Sequence, residues 1–200
     1  MLKKLSRQPT LTESAPTALP SILSDGRPLP RAIVFDLDYT LWPFWVDTHV
    51  YAPIRPNAAH NACTDKGGET FAFYTDVPSI LHGLALAGVK LGVASRTHAP
   101  DLGREMLKLL HIPPLSGDKS RKAIEFFDAG LEIYPSSKIR HFEALGKRTG
   151  IPYTEMLFFD DESRNKDTES LGVTFHLVRD GVNWNSIVNG IEKWRNRRGV

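Results

Sequence analysis

Apolar and polar positions alternate in two different ways along the chain from residue 31 onward. Short apolar runs that fit buried strands are separated by segments whose apolar residues recur at helical spacing. Strands are predicted at residues 32–35, 89–95, 156–159 and 173–178. The first of them is apolar at consecutive positions, as in a central parallel strand that is covered on both faces. The pattern therefore predicts the α/β class with a parallel sheet.

Helical spacing is clearest in the segments that separate these strands. One helix is predicted over residues 77–85 and ends at Gly88, and a second covers roughly 101–110. Ser137 can cap a third helix, which Gly150 closes. A fourth helix follows the last strand, with apolar residues at Ile187, Val188, Ile191 and Trp194.

Three stretches show neither the apolar runs of buried strands nor apolar residues at helical spacing. Residues 43–76 are rich in Pro, Asn, Gly and aromatic residues and predict an irregular excursion with a small hairpin. Residues 123–134 are too short and mixed to assign. Residues 1–30 combine Ser, Thr and Pro with a few charges, which predicts a disordered extension ahead of a folded domain at 31–200.

Composition indicates the classes of partner and the cellular compartment, but it says little about the function. The 25 basic and 23 acidic residues nearly balance, so we expect no nucleic-acid partner, and no apolar run is long enough for a membrane helix. Basic residues near the C-terminus fit the end of a helix and its dipole: Lys193, Arg195, Arg197 and Arg198. Cys63 is the single cysteine, which predicts a reducing, cytoplasmic compartment. A mitochondrial transit peptide is the alternative for residues 1–30, although Glu13 and Asp25 weaken it.

Polar side chains follow the predicted strands at their carboxyl ends. Asp36 and Asp38 come after the first strand, Ser95 ends the second, and Asp160 and Asp161 follow the third. In an open parallel sheet these ends share one edge, and ligands bind at that edge. We therefore expect these groups to converge, together with Lys138 at the start of the third helix.

Several carboxylates at one edge repel one another unless a cation lies between them. Magnesium fits, because it takes a few carboxylate oxygens and leaves room for the oxygens of a substrate phosphate. Lys138 and Ser95 then suit the remaining phosphate oxygens. The pair Asp36 and Asp38 indicates two different catalytic roles: one carboxylate attacks phosphorus, and the other gives and takes protons.

These residues resemble the motifs of the haloacid dehalogenase (HAD) superfamily of phosphatases. The four motifs occur in order: DxDx(T/V) at residues 36–40, then Ser95, Lys138 and the pair Asp160-Asp161. Longer segments are similar to the eukaryotic magnesium-dependent phosphatase 1 group, namely FDLDYTLWPFWVDTHV, ASRT, EIYPSSKIRHFEAL and FFDDESRN. The extension at residues 1–30 and the segment RPNAAHNACTDKGGETFAFY depart from that group.

The resemblance implies a Rossmann-like three-layer α/β/α sandwich, the HAD-like fold, and a magnesium-dependent phosphatase. Asp36 would be nucleophile and metal ligand, and Asp38 would be general acid/base and bind Mg²⁺ through its backbone carbonyl. Ser95, Arg96 and Lys138 would bind phosphate. Asp161 would contact the metal directly, with Asp160 reaching it through water. The implied substrates are protein phosphotyrosine and sugar phosphates, including fructosamine phosphates.

Two other functions use the same residues. A phosphotransferase would pass the phosphoryl group to another acceptor, which usually needs a lid that excludes water. The stretches 41–76 and 96–137 are too short for a large cap domain. A receiver-like module would keep the aspartyl phosphate as a signal, and it would need no counterpart of Asp38. The sequence favours a phosphomonoesterase and leaves the physiological substrate and the oligomeric state open.

Overall fold

Five parallel strands form the central sheet of the protein, seen here in a computed structural model that describes residues 19–114 and 119–200. The strands of the described chain are β1 (Ala32–Phe35), β2 (Arg55–Pro56), β3 (Cys63–Thr64), β4 (Thr70–Phe71), β5 (Lys90–Ser95), β6 (His111–Ile112), β7 (Arg121–Lys122), β8 (Gly130–Ile133), β9 (Met156–Asp160) and β10 (Thr174–Leu177). The α-helices are α1 (Val46–His49), α2 (Val77–Leu86), α3 (Pro100–Leu109), α4 (Lys138–Thr149) and α5 (Trp184–Arg198).

The central sheet has the strand order β10-β9-β1-β5-β8, with every neighbouring pair parallel. Strand β1 lies in the middle, where Phe35 is in register with Val93 of β5 and with Phe159 of β9. Since β1, β5 and β9 are adjacent, their carboxyl ends meet at the centre of one edge. This arrangement is what the apolar runs predicted.

Two hydrophobic clusters cover the two faces of the sheet. On one face, Ile33 and Phe35 belong to a large core that includes the apolar residues of α2, α3 and α5. On the other face, Val34 packs in a smaller core with Phe142 and Leu145 of α4. Helix layers on both sides make the fold a three-layer α/β/α sandwich, which confirms what the family resemblance implied.

Capping residues begin and end α4 where the sequence predicted. Ser137 accepts a hydrogen bond from the backbone N–H of Arg140 at 3.3 Å, and Gly150 ends α4 with a φ of 66°. A left-handed φ at that position favours glycine, which lacks a Cβ. Helix α4 therefore starts at Lys138, directly beside the carboxyl end of β5.

The segment between β1 and α2 is more ordered than a single hairpin. It contains the short helix α1 and a three-stranded antiparallel sheet, β2-β3-β4. Phe44, Phe71 and Cys63 from this segment are buried in the large core. Within the described residues, this insertion and the chain between β5 and α4 include no large cap domain, in agreement with the prediction.

Residues 19–30 differ from the predicted disordered extension. They contain a 3₁₀ turn at Ser21–Leu23, and Ile22 is buried in the large core. Arg195 of α5 is almost fully buried and binds both carboxylate oxygens of Asp25, at 2.6 and 2.9 Å. Arg195 also donates to the backbone carbonyls of this segment: Ile22, Arg27 and Pro28. Residues 1–18 of the predicted extension lie outside the described chain.

Strand β8 lies in the region that sequence pattern left unassigned. Its sequence, GLEI, includes a glutamate, so its apolar run is too short to predict a strand. Glu132 is buried in the structure, and its carboxylate accepts a hydrogen bond from Arg148 of α4 at 2.9 Å. A partner from the neighbouring helix therefore allows a charged residue in this edge strand.

No helix in the described ranges combines the length and the apolar character that crossing a membrane requires.

Candidate active site

A cleft of about 470 Å³ opens at the carboxyl edge of the sheet, where β1, β5 and β9 end. Its floor carries groups that the sequence expected there, and its walls come from the segments after each strand. The lining residues after β1 are Asp36, Asp38, Trp45, Asp47 and Thr48. Those after β5 and β9 are Ser95, Arg96, Thr97, His98, Asp161, Glu162 and Arg164, with Lys138 from α4.

Lys138 joins two strand ends at the floor of the cleft. Its Nζ lies 2.5 Å from Asp36 Oδ1 and 2.9 Å from Asp160 Oδ2, and it also donates to the backbone carbonyl of Ala94 at 2.5 Å. An ammonium group has three N–H donors, so these three acceptors use all of them. Only 1% of the Lys138 side chain is exposed. A lysine at the start of a helix is usually exposed to solvent. Lys138 is buried because the Ser137 cap starts α4 directly beside the carboxyl end of β5 in the parallel sheet.

The single positive charge of Lys138 does not balance the negative charges of the carboxylates around the floor of the cleft. Burial raises the pKa of Asp36 above its ordinary value, and the neighbouring carboxylates of Asp160 and Asp38 raise it further against the opposing charge of Lys138. Burial would lower the pKa of Lys138, but the charges of Asp36 and Asp160 raise it overall. One ammonium group therefore faces several carboxylates, which favours a further cation at this site.

Three carboxylates could hold that cation. Oxygen atoms of Asp36, Asp160 and Asp161 all lie within 4.8 Å of one another. A set of hard oxygen ligands fits Mg²⁺ or Ca²⁺ and not a metal that prefers sulfur or imidazole. The three aspartates that the sequence predicted as metal ligands therefore fit a magnesium ion, because they offer oxygen ligands and those oxygens lie close together.

Asp160 and Asp161 differ in their surroundings. Asp160 is fully buried, and its oxygens accept hydrogen bonds from the backbone N–H of Glu162 at 2.7 Å and from Asn165 Nδ2 at 2.8 Å, besides the contact with Lys138. Asp161 lines the cleft, and burial together with the charges of Asp160 and Glu162 raises its pKa to about 6. Asp161 thus has the freer access to the cleft, in keeping with its expected direct contact to the metal.

Asp38 is turned toward α1 and stands apart from the three-carboxylate cluster. Its Oδ1 accepts hydrogen bonds from Trp42 Nε1 at 2.7 Å and from the backbone N–H of Val46 at 3.1 Å. Burial raises the pKa of Asp38 to about 6. A carboxyl group with a pKa near neutrality can both give and take a proton, which suits a general acid/base.

Ser95 and Arg96 both line the cleft. Ser95 ends β5 and is buried, with its Oγ accepting a hydrogen bond from the backbone N–H of Thr97 at 3.4 Å. Arg96 lines the cleft, and its Nη1 donates to Asn165 Oδ1 at 3.4 Å. The predicted site residues therefore line one cleft, except Asp160, which is buried against Lys138.

Sequence reasoning missed Asn165 and Asp47. Asn165 is buried and connects Asp160 to Arg96 through its two side-chain ends. Asp47 of α1 accepts a hydrogen bond from the backbone N–H of His98 at 3.0 Å, which ties α1 to the segment after β5. Periodicity carries no signal for either residue, because Asp47 lies in the four-residue helix α1 and Asn165 in a 3₁₀ segment, Ser163–Leu171.

Comparison with known proteins identifies the class to which this fold and cleft belong. The acid phosphatase family matches residues 28–197. A HAD-like hydrolase superfamily protein of Schizosaccharomyces pombe is 48% identical over 147 residues, which is 73% of this chain and 84% of that protein. Human magnesium-dependent phosphatase 1 is 41% identical over 165 residues, or 82% of this chain and 86% of that protein.

A solved structure supports the fold independently. A HAD-superfamily hydrolase from Ehrlichia chaffeensis superposes with a TM-score of 0.56 at 14% identity, covering 84% of this chain and 99% of that one. The chain therefore belongs to the acid phosphatase family of HAD-type phosphatases. The resemblance drawn from the four sequence motifs is confirmed.

Proposed function

We propose that the protein is a magnesium-dependent phosphomonoesterase that works through an aspartyl phosphate on Asp36. The observation that carries the proposal is the buried contact of Lys138 with Asp36 and Asp160, beside the carboxylate of Asp161. Asp36, Asp160 and Asp161 would hold Mg²⁺, to which the sequence resemblance adds the backbone carbonyl of Asp38. The bound ion supplies positive charge that offsets the charge of the phosphoryl oxygens.

In the first half-reaction, a carboxylate oxygen of Asp36 attacks phosphorus and the bond from phosphorus to the leaving oxygen breaks. Asp38 donates its proton to that leaving oxygen, so that the product departs as an alcohol. Ser95 and Arg96 hold the phosphoryl oxygens during the transfer, and Lys138, whose three N–H groups already have acceptors, contributes its positive charge beside them. Lys138 also fixes the direction of the Asp36 carboxylate, because it binds Oδ1.

In the second half-reaction, Asp38 takes a proton from water, and the water oxygen attacks phosphorus of the aspartyl phosphate. The bond from phosphorus to Asp36 breaks, which releases inorganic phosphate and restores both carboxyl groups to their starting states. The position of Asp38 supports hydrolysis over a receiver-like role, since a lasting phospho-aspartate has no use for a general base beside it. The absence of a large cap from the described chain supports transfer to water over transfer to another acceptor.

The substrates that we propose are phosphomonoesters with accessible phosphate groups: phosphotyrosyl proteins and sugar phosphates, including fructosamine phosphates. The cleft opens between three short wall segments, so its contacts with the phosphate dominate those with the leaving group. We expect several such esters to react, with good leaving groups such as aryl oxides favoured.

Phosphate release and trapping of the phosphoenzyme test this proposal together. The purified chain should release phosphate from an aryl phosphate with Mg²⁺ and should form an acid-stable, hydroxylamine-sensitive phosphoprotein during turnover. Asp36→Asn should remain folded and lose at least ~10³-fold in kcat, because it removes the nucleophile. An Asp36→Asn enzyme that keeps a tenth of the normal rate would exclude the covalent role of Asp36. A phosphoprotein that persists for hours would instead favour the receiver-like function.

A further inference from the structure

Trp45 is a half-exposed aromatic side chain at the mouth of the catalytic cleft. It precedes α1 directly, and 50% of its surface is accessible. Among the described residues that line the cleft, Trp45 is the one with a large apolar ring. The other lining residues are charged, polar or small. An uncharged part of a substrate therefore finds one apolar surface in this cleft.

The ring of Trp45 is held in place by two neighbours. The ring of Tyr39 meets it edge-on with centroids 5.1 Å apart and an interplanar angle of 76°. The ring of His49 stacks on it at 5.5 Å and 28°, and the backbone N–H of Trp45 donates to His49 Nδ1 at 3.1 Å. A side chain fixed in this way loses little conformational freedom when a ligand contacts it.

Asp38 indicates which end of a substrate lies beside Trp45. The backbone N–H of Val46, the residue after Trp45, holds Asp38 Oδ1 at 3.1 Å. A general acid must be within hydrogen-bond reach of the leaving oxygen. The leaving oxygen therefore lies on the α1 side of the phosphoryl group, and the group attached to it extends along the wall that carries Trp45.

We propose that Trp45 is a specificity-determining residue that packs against the leaving group of the substrate and favours flat, apolar leaving groups over small polar ones. This inference rests on the proposed phosphomonoesterase function. Contact with one aromatic ring is worth enough to change relative rates by about three- to tenfold. Trp45 takes no part in proton transfer or metal binding, so the effect concerns selectivity and not the chemical step itself.

Kinetics with two substrates test the proposal. For Trp45→Ala, kcat/KM for phenyl phosphate should fall about three- to tenfold, while kcat/KM for glycerol 2-phosphate should stay within about twofold of the wild-type value. Each substrate is compared with itself, so the different leaving-group acidities cancel. Trp45→Phe should retain most of the preference. Tyr51→Ala is the matched control, because Tyr51 is 65% exposed but lies outside the cleft lining.

Binding of phosphonates gives a second readout that needs no turnover. Benzylphosphonate cannot be hydrolysed, and Trp45→Ala should weaken its binding by about three- to tenfold while leaving methylphosphonate binding unchanged. Equal losses for both substrates and both phosphonates would overturn the proposal and assign Trp45 to supporting the wall. Unchanged values for all four would overturn it as well. A wild-type protein that hydrolyses neither ester would instead overturn the proposed phosphomonoesterase function, and the role of Trp45 with it.

Discussion

Lys138 and Asp36 form a buried ion pair, with Nζ 2.5 Å from Oδ1, although 102 positions separate them in the chain. Asp36 follows the central strand β1, and Lys138 is the first residue of α4. The pair therefore exists only when the sheet and the helix layer are both assembled. A charge pair of this kind ties Asp36, the proposed nucleophile, to the completed fold.

Replacement of Lys138 by methionine should destabilise the protein strongly in the absence of metal. The change leaves the carboxylates of Asp36 and Asp160 without their buried cation, and a buried pair broken in this way typically costs about 3–5 kcal/mol in the free energy of unfolding. Saturating Mg²⁺ should recover much of that loss if, as proposed, it binds the same carboxylates in the folded state only. Urea unfolding with and without Mg²⁺ measures both effects.

Lys147→Met is the matched control, since Lys147 is an exposed residue of the same helix. It should change the free energy of unfolding by less than about 0.5 kcal/mol and should not alter the effect of Mg²⁺. A Lys138→Met protein that is as stable as wild type in chelator would contradict the importance that we assign to the buried charge.

Calcium should not replace magnesium in catalysis. The three carboxylates attract either ion, but Ca²⁺ takes more ligands at longer distances, which moves the phosphoryl group away from Asp36. We expect activity to disappear in excess chelator, to return with Mg²⁺ and to remain below about a tenth of that level with Ca²⁺. Phosphate release after chelation and readdition of each ion checks this. Full activity in excess chelator would rule out a metal-dependent mechanism.

The sheet and the site could be predicted from sequence because their signals are local. A short apolar run followed by Asp36 or Asp160 marks both a buried strand and its carboxyl end. Ser137 and Gly150 mark the ends of α4 by the same kind of local chemistry. These features need no knowledge of distant contacts, and the parallel topology then brings the polar ends together.

Long-range partners explain what sequence pattern missed. The strand that contains Glu132 is stabilised by Arg148 of α4, and no local pattern shows that contact. The sequence places Arg195 among the basic residues that fit the end of a helix and its dipole, yet in the structure Arg195 lies buried against residues 19–30. Asn165 similarly connects Asp160 to Arg96 only because β9 and β5 lie on either side of β1 in the folded sheet.

The contact between Arg195 and Asp25 predicts a pH-dependent contribution to stability. The hydrogen bonds from Arg195 lower the pKa of Asp25 below its ordinary value. A carboxyl group with a lowered pKa in the folded state stabilises the protein above its unfolded pKa of about 4, and this contribution is lost as the pH falls through the folded pKa. Asp25→Asn should therefore destabilise the protein at pH 7 by more than at pH 3.5.

Urea unfolding of wild type and Asp25→Asn at several pH values between 3 and 7 measures this difference. Asp167→Asn is a suitable control, because Asp167 is exposed and the carboxylate that Arg195 binds is that of Asp25. A destabilisation by Asp25→Asn that is the same at every pH would show that the charge of Asp25 is not what Arg195 recognises.

We expect Asn165 to raise the affinity for Mg²⁺ by orienting Asp160, although Asn165 is not itself a charged ligand of the metal. Its Nδ2 donates to Asp160 Oδ2 at 2.8 Å, and its Oδ1 accepts from Arg96 at 3.4 Å. Residues that orient a metal-binding carboxylate typically contribute 10–100-fold to affinity. For Asn165→Ala, we therefore expect the Mg²⁺ concentration at half-maximal activity to rise about 10–100-fold, with activity largely recovered at saturating Mg²⁺.

Direct Mg²⁺ titration by calorimetry separates this role from a loss of folding. The dissociation constant of Asn165→Ala should rise by the same factor as the half-maximal concentration, while circular dichroism stays unchanged. Asn189→Ala on α5 serves as the control, since Asn189 is exposed and outside the cleft lining. An Asn165→Ala enzyme with normal Mg²⁺ affinity but low activity at saturation would instead assign Asn165 to holding Arg96 or Glu162, the other two partners of its side chain.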